Sequence, residues 1–320
     1  MESCLCAILF PGFTLGHAIF PCLTPSLIIS LSLPQDLHSG TLTAPTNQSF
    51  GLYFSGHHIL EVPQSTRSVR HTHGPVSDRT LKPYWEAILQ DLLTTAHLRQ
   101  STMAVLSGAS AGGIGAWINA DWLQDILPHA TVLGAPIAGF YAFAYPYEGP
   151  WHTTGRALGN FSEAAFPSHV HLWNSFLPQG CAKALGALSY RCLLSNYSAP
   201  YIKVPMFVTE AQTDAVQLMY HDAIPPWAAL GRFDPTNAYL AAWKANQTLG
   251  MRATLKAEDG WFNPACFIHT GFSHKGPLIE GRSYVNVFDE WLQSLLEGKQ
   301  PPRLMDDCGI LCGNQCTPTA

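Results

Sequence analysis

The chain has 320 residues, of which 47% are hydrophobic and only 12% are charged, and its formal net charge at pH 7 is −5. This length suits one large α/β domain or two small ones. An acidic balance without a basic run argues against nucleic-acid binding, and the lack of a glycine-rich loop ending in Lys-Ser or Lys-Thr argues against a nucleotide enzyme.

The first 45 residues form an unusual apolar segment. No Asp, Glu, Lys or Arg occurs from Ser3 to Gln35. Prolines interrupt this stretch, so a stable membrane-spanning helix is not expected. The basic start of an ordinary signal peptide is also missing. We interpret residues 1–45 as an atypical leader, a poor signal peptide or a misassigned start, and we expect residues 46–316 to form a single domain.

The next segments are less regular. Phe50 to Leu60 is predicted to be an ordered loop or the start of a short helix, and residues 64–80 read as a polar surface insertion. The histidines of this region, such as His71 and His73, lack carboxylate partners at helical or strand spacing, so we expect no metal site. Leu81 to Leu98 has the apolar spacing of an amphipathic helix.

The motif Gly-Ala-Ser-Ala-Gly-Gly, residues 108–113, directly follows the apolar run Met103–Leu106. This order predicts a strand, a sharp turn that carries Ser110, and a helix that begins near Ala111. Such an arrangement is the nucleophile elbow of α/β-hydrolases, in which small neighbours allow a strained serine. The alternative interpretation is a tight strand-to-helix turn without chemistry.

Later elements continue an α/β pattern. Thr131–Gly134 and Val204–Thr209 are predicted strands, and Tyr284–Leu296 is predicted to be an amphipathic helix. Residues 140–200 are rich in aromatic residues, Gly and Pro, and we expect a cap region there rather than a sheet.

Two further polar residues follow strand-like runs. Asp214 comes after Val204–Thr209, and His269 comes after the run that ends at Ile268. The order Ser110, Asp214, His269 is that of α/β-hydrolases. A serine hydroxyl needs a neutral imidazole to take its proton, and an acid fixes the tautomer of that imidazole. Asp222 is the alternative acid, and His221 and His274 are further candidates nearby.

The chain has nine cysteines. The spacing of the last three, Cys308, Cys312 and Cys316, lacks the paired knuckles of most zinc sites, which favours disulfides over metal. Four N-glycosylation sequons point the same way, toward a secreted or endomembrane-lumen protein.

At these residues the chain resembles the pectin acetylesterase and Notum family of serine carboxylic ester hydrolases. The resemblance rests on several segments. They are Leu52–Gly56, the elbow at 108–113, Ala138–Tyr141, Cys181 and Cys192, Thr213–Leu218, Cys266–His269, and the tail Asp307–Cys316. It implies an α/β-hydrolase-like fold with a mostly parallel sheet flanked by helices, an aromatic-rich cap and a disulfide-tied C-terminal tail.

The resemblance also implies roles for the matching residues. Ser110 would be the nucleophile, His269 the base and Asp214 the orienting acid, and the backbone N–H of Ala111 would donate to the oxyanion. A disulfide between Cys181 and Cys192 is expected, with Cys266 and the tail cysteines Cys308, Cys312 and Cys316 forming further bridges.

The chain departs from the family in two places. The Gly-Gly-Trp motif that supplies other oxyanion donors is not found, and Phe10–Phe13, with Gly12, is a degraded stand-in for it. A lost oxyanion donor costs about 10²–10³ in turnover. Ile137 stands where the family has an acidic residue. The aromatic residues Phe140, Tyr141, Trp151 and Trp173 would line the acyl or sugar site or belong to the core, and the sequence leaves both options open.

These observations predict a secreted serine esterase without a cofactor, expected to be monomeric, that removes acetate from a pectin-like polysaccharide. A variant of this hypothesis is a Notum-like enzyme that removes a long acyl chain from a protein. The alternative from another class is a catalytically impaired member that binds glycan or is structural.

Overall fold

The structure is a computed structural model. It describes residues 26–31, 50–53, 59–62, 89, 90, 93, 98, 101–153, 160–173, 175–231 and 234–316. Its strands are β1 Ser26–Leu31, β2 Phe50–Tyr53, β3 Ile59–Val62, β4 Met103–Ala109, β5 Thr131–Ile137, β6 Phe207–Thr209, β7 Thr213–Asp214, β8 Gly260–Asn263, β9 Phe267–Ile268, β10 Leu278–Ile279, β11 Arg282–Ser283 and β12 Arg303–Met305. Its α-helices are α1 Ala111–Ile126, α2 Phe166–Trp173, α3 Gln179–Leu185, α4 Ser195–Ser198, α5 Asp234–Thr254 and α6 Tyr284–Glu297.

A six-stranded sheet lies at the centre, in the order β1-β4-β5-β6-β8-β12. Every neighbouring pair in it is parallel. Parallel sheets are buried on both faces, which explains why β4 and β5 are continuous apolar runs rather than alternating ones. The α/β fold with a mostly parallel sheet is therefore confirmed.

Helices cover the two faces of this sheet. Ala104 and Leu106 of β4 pack with Trp117 of α1, whereas Val105 faces the other core, which contains Phe288 and Trp291 of α6. The alternation follows from the two-residue period of a strand. The chain thus forms a three-layer arrangement with β4 near its middle.

The strand at one edge of the sheet comes from the segment that we predicted to be a leader. Ser26–Leu31 pairs in parallel with β4, from Ser26 opposite Met103 to Leu31 opposite Gly108. Part of this stretch therefore forms an edge strand of the sheet.

The prediction of a loop or helix start at Phe50–Leu60 was wrong. Phe50–Tyr53 and Ile59–Val62 instead pair as an antiparallel hairpin. Aromatic and β-branched residues favour strands, and that preference prevails here. The predicted insertion at 64–80 lies outside the described residues, as does most of the predicted helix Leu81–Leu98, of which Leu89, Gln90 and Leu93 are helical.

The described residues between β5 and β6 form helices, turns and loops, as expected for a cap region. An aromatic cluster containing Tyr141, Phe143 and Phe166 fills this region. A disulfide joins Cys181 of α3 to Cys192. Among the helices described, none has the length and hydropathy needed to cross a membrane.

Candidate active site

Ser110 lies in a strained turn between β4 and α1. Its backbone has φ 59° and ψ −122°, a region that residues with a Cβ rarely adopt. Its N–H donates to the carbonyl of Ile137 at 2.9 Å, and its own carbonyl accepts from the N–H of Ile114 at 3.1 Å. These two bonds fix the serine at the carboxyl end of β4 and at the N-terminus of α1.

Two glycines allow this turn to pack against the loop after β5. A Cβ on Gly113 would lie 2.8 Å from the Cα of Gly139 and from the carbonyl oxygen of Ile137. A Cβ on Gly139 would lie 2.6 Å from the backbone of Gly113. Gly113 of the elbow motif and Gly139 of the loop after β5 are therefore required by backbone contact.

A chain of hydrogen bonds joins Ser110, His269 and Asp214. The Oγ of Ser110 lies 2.7 Å from Nε2 of His269, and Nδ1 of His269 lies 2.6 Å from Oδ2 of Asp214. In the tautomer that satisfies both contacts, the serine donates to Nε2 and Nδ1–H donates to the carboxylate. Asp214 is fully buried. The structure therefore brings together the three residues that the sequence singled out.

A short parallel ladder positions Asp214 and His269. Thr213 and Asp214 of β7 pair with Phe267 and Ile268 of β9, so that His269 follows directly. The hydroxyl of Thr213 donates to the carbonyl of Cys266 at 2.8 Å. This ladder is separate from the central sheet, and it sets the spacing between Asp214 and His269.

The C-terminal tail supports this ladder from outside. Disulfides join Cys266 to Cys316 and Cys308 to Cys312. The N–H of Ala265 donates to Asp306 at 2.9 Å, and the N–H of Gly313 donates to the carbonyl of Ala265 at 3.0 Å. The tail is therefore fixed to the segment that leads to His269.

The alternative acid lies elsewhere. Asp222 accepts the N–H of Tyr145 at 2.8 Å. Burial raises the pKa of Asp222 from 3.8 to about 7, and hydrogen bonds from Tyr145, Tyr239 and Trp243 oppose this rise. Asp222 thus serves the loop around Tyr145, whereas Asp214 contacts His269.

The predicted pocket residues have different surroundings. Phe140 is buried in the core against Trp117, with ring centroids 6.1 Å apart. The side chain of Tyr141 is buried and interacts with that of Ser110. Trp151 is 67% exposed and meets Trp227 edge-on.

Of the two candidate oxyanion donors, Ala111 and Gly12, the structure describes Ala111. Ala111 is the first residue of α1, where backbone N–H groups have no partner within the helix. Gly12 and the side chain of Trp173 lie outside the described residues.

Sequence reasoning named His221 only as a nearby candidate and assigned no role to Glu210. His221 stacks on Phe161 with ring centroids 3.6 Å apart, and its ring lies 5.7 Å from that of Tyr141. Burial lowers the pKa of His221 to about 4. Glu210 is fully buried beside Asp214. The only sequence signal for Glu210 is a single acidic residue directly after an apolar strand.

No group of three or more His, Cys, Asp or Glu side chains in the described part of the chain could hold a metal ion.

The family model for pectinacetylesterase matches residues 82–317. The chain belongs to this family. The matched range includes the elbow, the β7–β9 ladder and the tail cysteines.

Individual relatives of this family member are distant. The chain is 22% identical to palmitoleoyl-protein carboxylesterase notum1a of Danio rerio, over 72% of this chain and 48% of that protein. It is 26% identical to notum1' of Xenopus laevis, over 73% and 49%, respectively. Pectin acetylesterase 7 of Arabidopsis thaliana is 27% identical over 42% of this chain and 32% of that protein. The chain spans about half the length of the Notum relatives it matches.

One solved structure is similar across most of the chain. The Wnt deacylase Notum from Drosophila superposes with a TM-score of 0.61 and 22% sequence identity, covering 74% of this chain and 65% of that one. This similarity supports the α/β-hydrolase-like fold.

Proposed function

We propose that this pectinacetylesterase family member is a serine esterase that removes acyl groups, most simply acetate from a pectin-like polysaccharide. The observation that carries the proposal is the continuous chain of hydrogen bonds from Ser110 through His269 to Asp214. Ser110 lies at a strained strand-to-helix turn, which is the position that serine acyl transfer in α/β-hydrolases requires.

Each residue has a separate role in this proposal. His269 takes the proton of Ser110 as the serine oxygen attacks the ester carbonyl, and it then protonates the departing alcohol. Water, with His269 again as the base, hydrolyses the acyl-enzyme. Asp214 keeps Nδ1 protonated and stabilises the imidazolium that forms.

The oxyanion of the tetrahedral intermediate would form near the N-terminus of α1. The N–H of Ala111 is a candidate donor there, and the positive end of the helix dipole favours negative charge. A preorganised donor of this kind contributes more than one in water because the site around it is largely buried.

Two acyl classes are candidates. Acetate is the primary proposal because the matching family model is that of pectinacetylesterase and because a polar hydroxyl, that of Tyr141, lies against Ser110. A long-chain acyl group on a protein is the second candidate because the Notum relatives are palmitoleoyl-protein carboxylesterases. We further propose a secreted, monomeric protein, since disulfides form and persist in oxidising compartments.

The test combines active-site labelling with an ester panel. We expect a fluorophosphonate probe to label Ser110 in the wild type and not in Ser110→Ala, with the label located by mass spectrometry. p-Nitrophenyl esters from acetyl to palmitoyl would then rank the acyl chains, and a preference for acetyl supports the primary proposal. Folded protein that is unlabelled and inactive on every ester would overturn the esterase.

Two buried aspartates provide a matched control pair. Asp214→Asn is expected to lower kcat by about 10³–10⁴ because the wrong tautomer of His269 is then favoured. Asp222→Asn should keep wild-type activity, since Asp222 contacts the Tyr145 loop. Equal losses in both variants would contradict the role of Asp214.

A further inference from the structure

Glu210 is a buried carboxyl group with one unsatisfied oxygen. It follows β6 and is fully buried. Its Oε2 accepts the N–H of Phe140 at 2.8 Å. No N–H or O–H group of the described residues reaches its Oε1, which is also buried. Leaving a buried carboxylate oxygen without a hydrogen-bond donor costs free energy. The neutral, protonated carboxyl group therefore fits this site better than the carboxylate.

The group beside Glu210 is a second carboxyl group. Its side chain interacts with that of Asp214. Asp214 already accepts the N–H of Gln217 at 2.8 Å through Oδ1 and contacts Nδ1 of His269 at 2.6 Å through Oδ2. Two adjacent buried carboxyl groups do not both ionise, because neither solvent nor a cation separates their charges. One proton must therefore be held between Glu210 and Asp214.

The surroundings decide which residue carries that proton. Asp214 faces His269, whose cationic form requires an anion beside it. Among the described residues, the groups that offset the burial of Glu210 are the backbone N–H groups of Phe140 and Gly139. Burial and the nearby charge of Asp214 both raise the pKa of Glu210 well above 4.5. The charge therefore stays on Asp214.

We infer that Glu210 is a positioning residue that remains protonated and donates a hydrogen bond from Oε1 to the carboxylate of Asp214. The inference rests on the proposed function, in which Asp214 orients His269. Through Oε2 the same side chain holds the backbone of Phe140, the residue before Tyr141. The side chain of Glu210 thus links Asp214 to the loop that places Tyr141 beside Ser110.

This role makes the site sensitive to alkaline pH. The titratable groups that act around Glu210 are Asp214 and Tyr141, with His269 behind Asp214. Loss of the proton from Glu210 would place a second negative charge beside Asp214 and remove the donor for that carboxylate. We expect kcat to fall at alkaline pH as a result.

The experiment compares Glu210→Gln with Glu210→Leu in the full chain. Gln keeps an acceptor for Phe140 and an N–H donor for Asp214, and it cannot ionise. We expect its kcat at neutral pH to stay within about threefold of the wild type, with no alkaline fall. Leu has neither hydrogen-bonding group, and we expect kcat to drop about tenfold or more with a smaller change in KM.

A second measurement does not depend on turnover. Wild type and Glu210→Gln are unfolded with denaturant across a range of pH. In the unfolded chain Glu210 ionises with its ordinary pKa of 4.5, whereas in the folded state it keeps the proton to higher pH. The stability of the wild type should therefore decline relative to Glu210→Gln as pH rises above this value, until the raised pKa is passed.

The outcomes separate this inference from the proposed esterase. A stability difference that is constant with pH, or a Gln variant as impaired as the Leu variant, would show that the ionised carboxylate is the working form and would overturn the inference. Wild-type protein without esterase activity would remove the proposed function alone, since the pH dependence of unfolding still reports the proton on Glu210.

Discussion

The ring of Tyr141 meets the imidazole of His269 edge-on, with 6.4 Å between their centroids, and the side chain of Tyr141 also interacts with that of Ser110. Burial raises the pKa of Tyr141 well above 10.0, so the hydroxyl stays protonated at the pH of any ordinary assay. The neutral hydroxyl group of Tyr141 therefore lies beside the proposed nucleophile, in addition to the imidazole of His269.

Replacing Tyr141 with Phe removes only this hydroxyl. We expect kcat on a short-chain ester to fall about fivefold, because a polar interaction beside the reacting oxygen contributes on the order of 1 kcal/mol. Tyr147→Phe is the matched control, since the hydroxyl of Tyr147 is buried without a partner among the described residues. A Tyr141→Phe variant with wild-type kcat would contradict a role for this hydroxyl.

The contact between Gly113 and Gly139 leads to a prediction about stability. Gly113→Ala would force the helix α1 away from the loop after β5, because the added Cβ meets backbone atoms that cannot rotate away. We expect a loss of about 2 kcal/mol, typical of overpacking, together with reduced labelling of Ser110. Thermal unfolding measures the first effect.

Gly180→Ala in α3 is the corresponding control. The nearest atom to its added Cβ would be the carbonyl oxygen of Tyr201, at an ordinary 3.4 Å. Alanine also favours a helix over glycine. A Gly180→Ala variant should therefore be at least as stable as the wild type, and similar losses in both variants would refute the importance of the close approach.

Asp222 should make stability depend on pH between about 4 and 7. The folded protein keeps Asp222 protonated up to a pKa of about 7, whereas the unfolded chain ionises it near 3.8. The contribution of this group is therefore complete at acid pH and is lost as pH rises toward 7. The loss would be up to about 4 kcal/mol, since one pKa unit corresponds to about 1.4 kcal/mol.

Denaturant unfolding of wild type and Asp222→Asn at several pH values tests this prediction. Asparagine cannot ionise, and its side-chain oxygen can still accept the N–H of Tyr145. We expect the variant to gain on the wild type steadily from about pH 4 to about pH 7. Parallel stability curves for the two proteins would show that Asp222 is ionised in the folded state.

The two tail disulfides should differ in their contributions. Cys266 and Cys316 are 50 residues apart, whereas Cys308 and Cys312 are separated by 4. In the chain-entropy model the longer loop is worth about 4 kcal/mol and the shorter about 2 kcal/mol. We therefore expect Cys266→Ser/Cys316→Ser to be the less stable double variant and to lose more activity, because Cys266 precedes His269 closely.

Denaturation midpoints and ester hydrolysis at a temperature where both variants are folded measure these effects. The Cys308→Ser/Cys312→Ser protein is the control for removing a disulfide as such. Greater damage in that control than in the Cys266 variant would contradict the proposed support of the β7–β9 ladder by the tail.

The central residues of the site were accessible to sequence reasoning because each carries a local signal. Ser110 lies between small residues that a sharp turn requires, and Asp214 and His269 each follow a strand-like run. Parallel strands bring their carboxyl ends to the same edge, so chain order was enough to group these residues.

Other features depend on contacts that no local pattern encodes. The hydrogen bond between Glu210 and Phe140 joins residues 70 positions apart, and the contact of Tyr141 with Ser110 depends on the path of a loop. The strand Ser26–Leu31 was hidden because an uninterrupted apolar run suits a buried strand and a leader equally. The hairpin at Phe50–Val62 was missed because its short strands showed too little alternation to exclude a loop.

The ladder of β7 and β9 has a consequence for biosynthesis. Ser110 can reach its strained turn as soon as β4, α1 and β5 have come together, but His269 is held by a segment whose covalent anchor, Cys316, is synthesised later. The covalent support of His269 is therefore completed only after Cys316 has been synthesised and oxidised. In a nascent or reduced chain the serine turn could be complete while the segment that holds His269 still lacks this anchor.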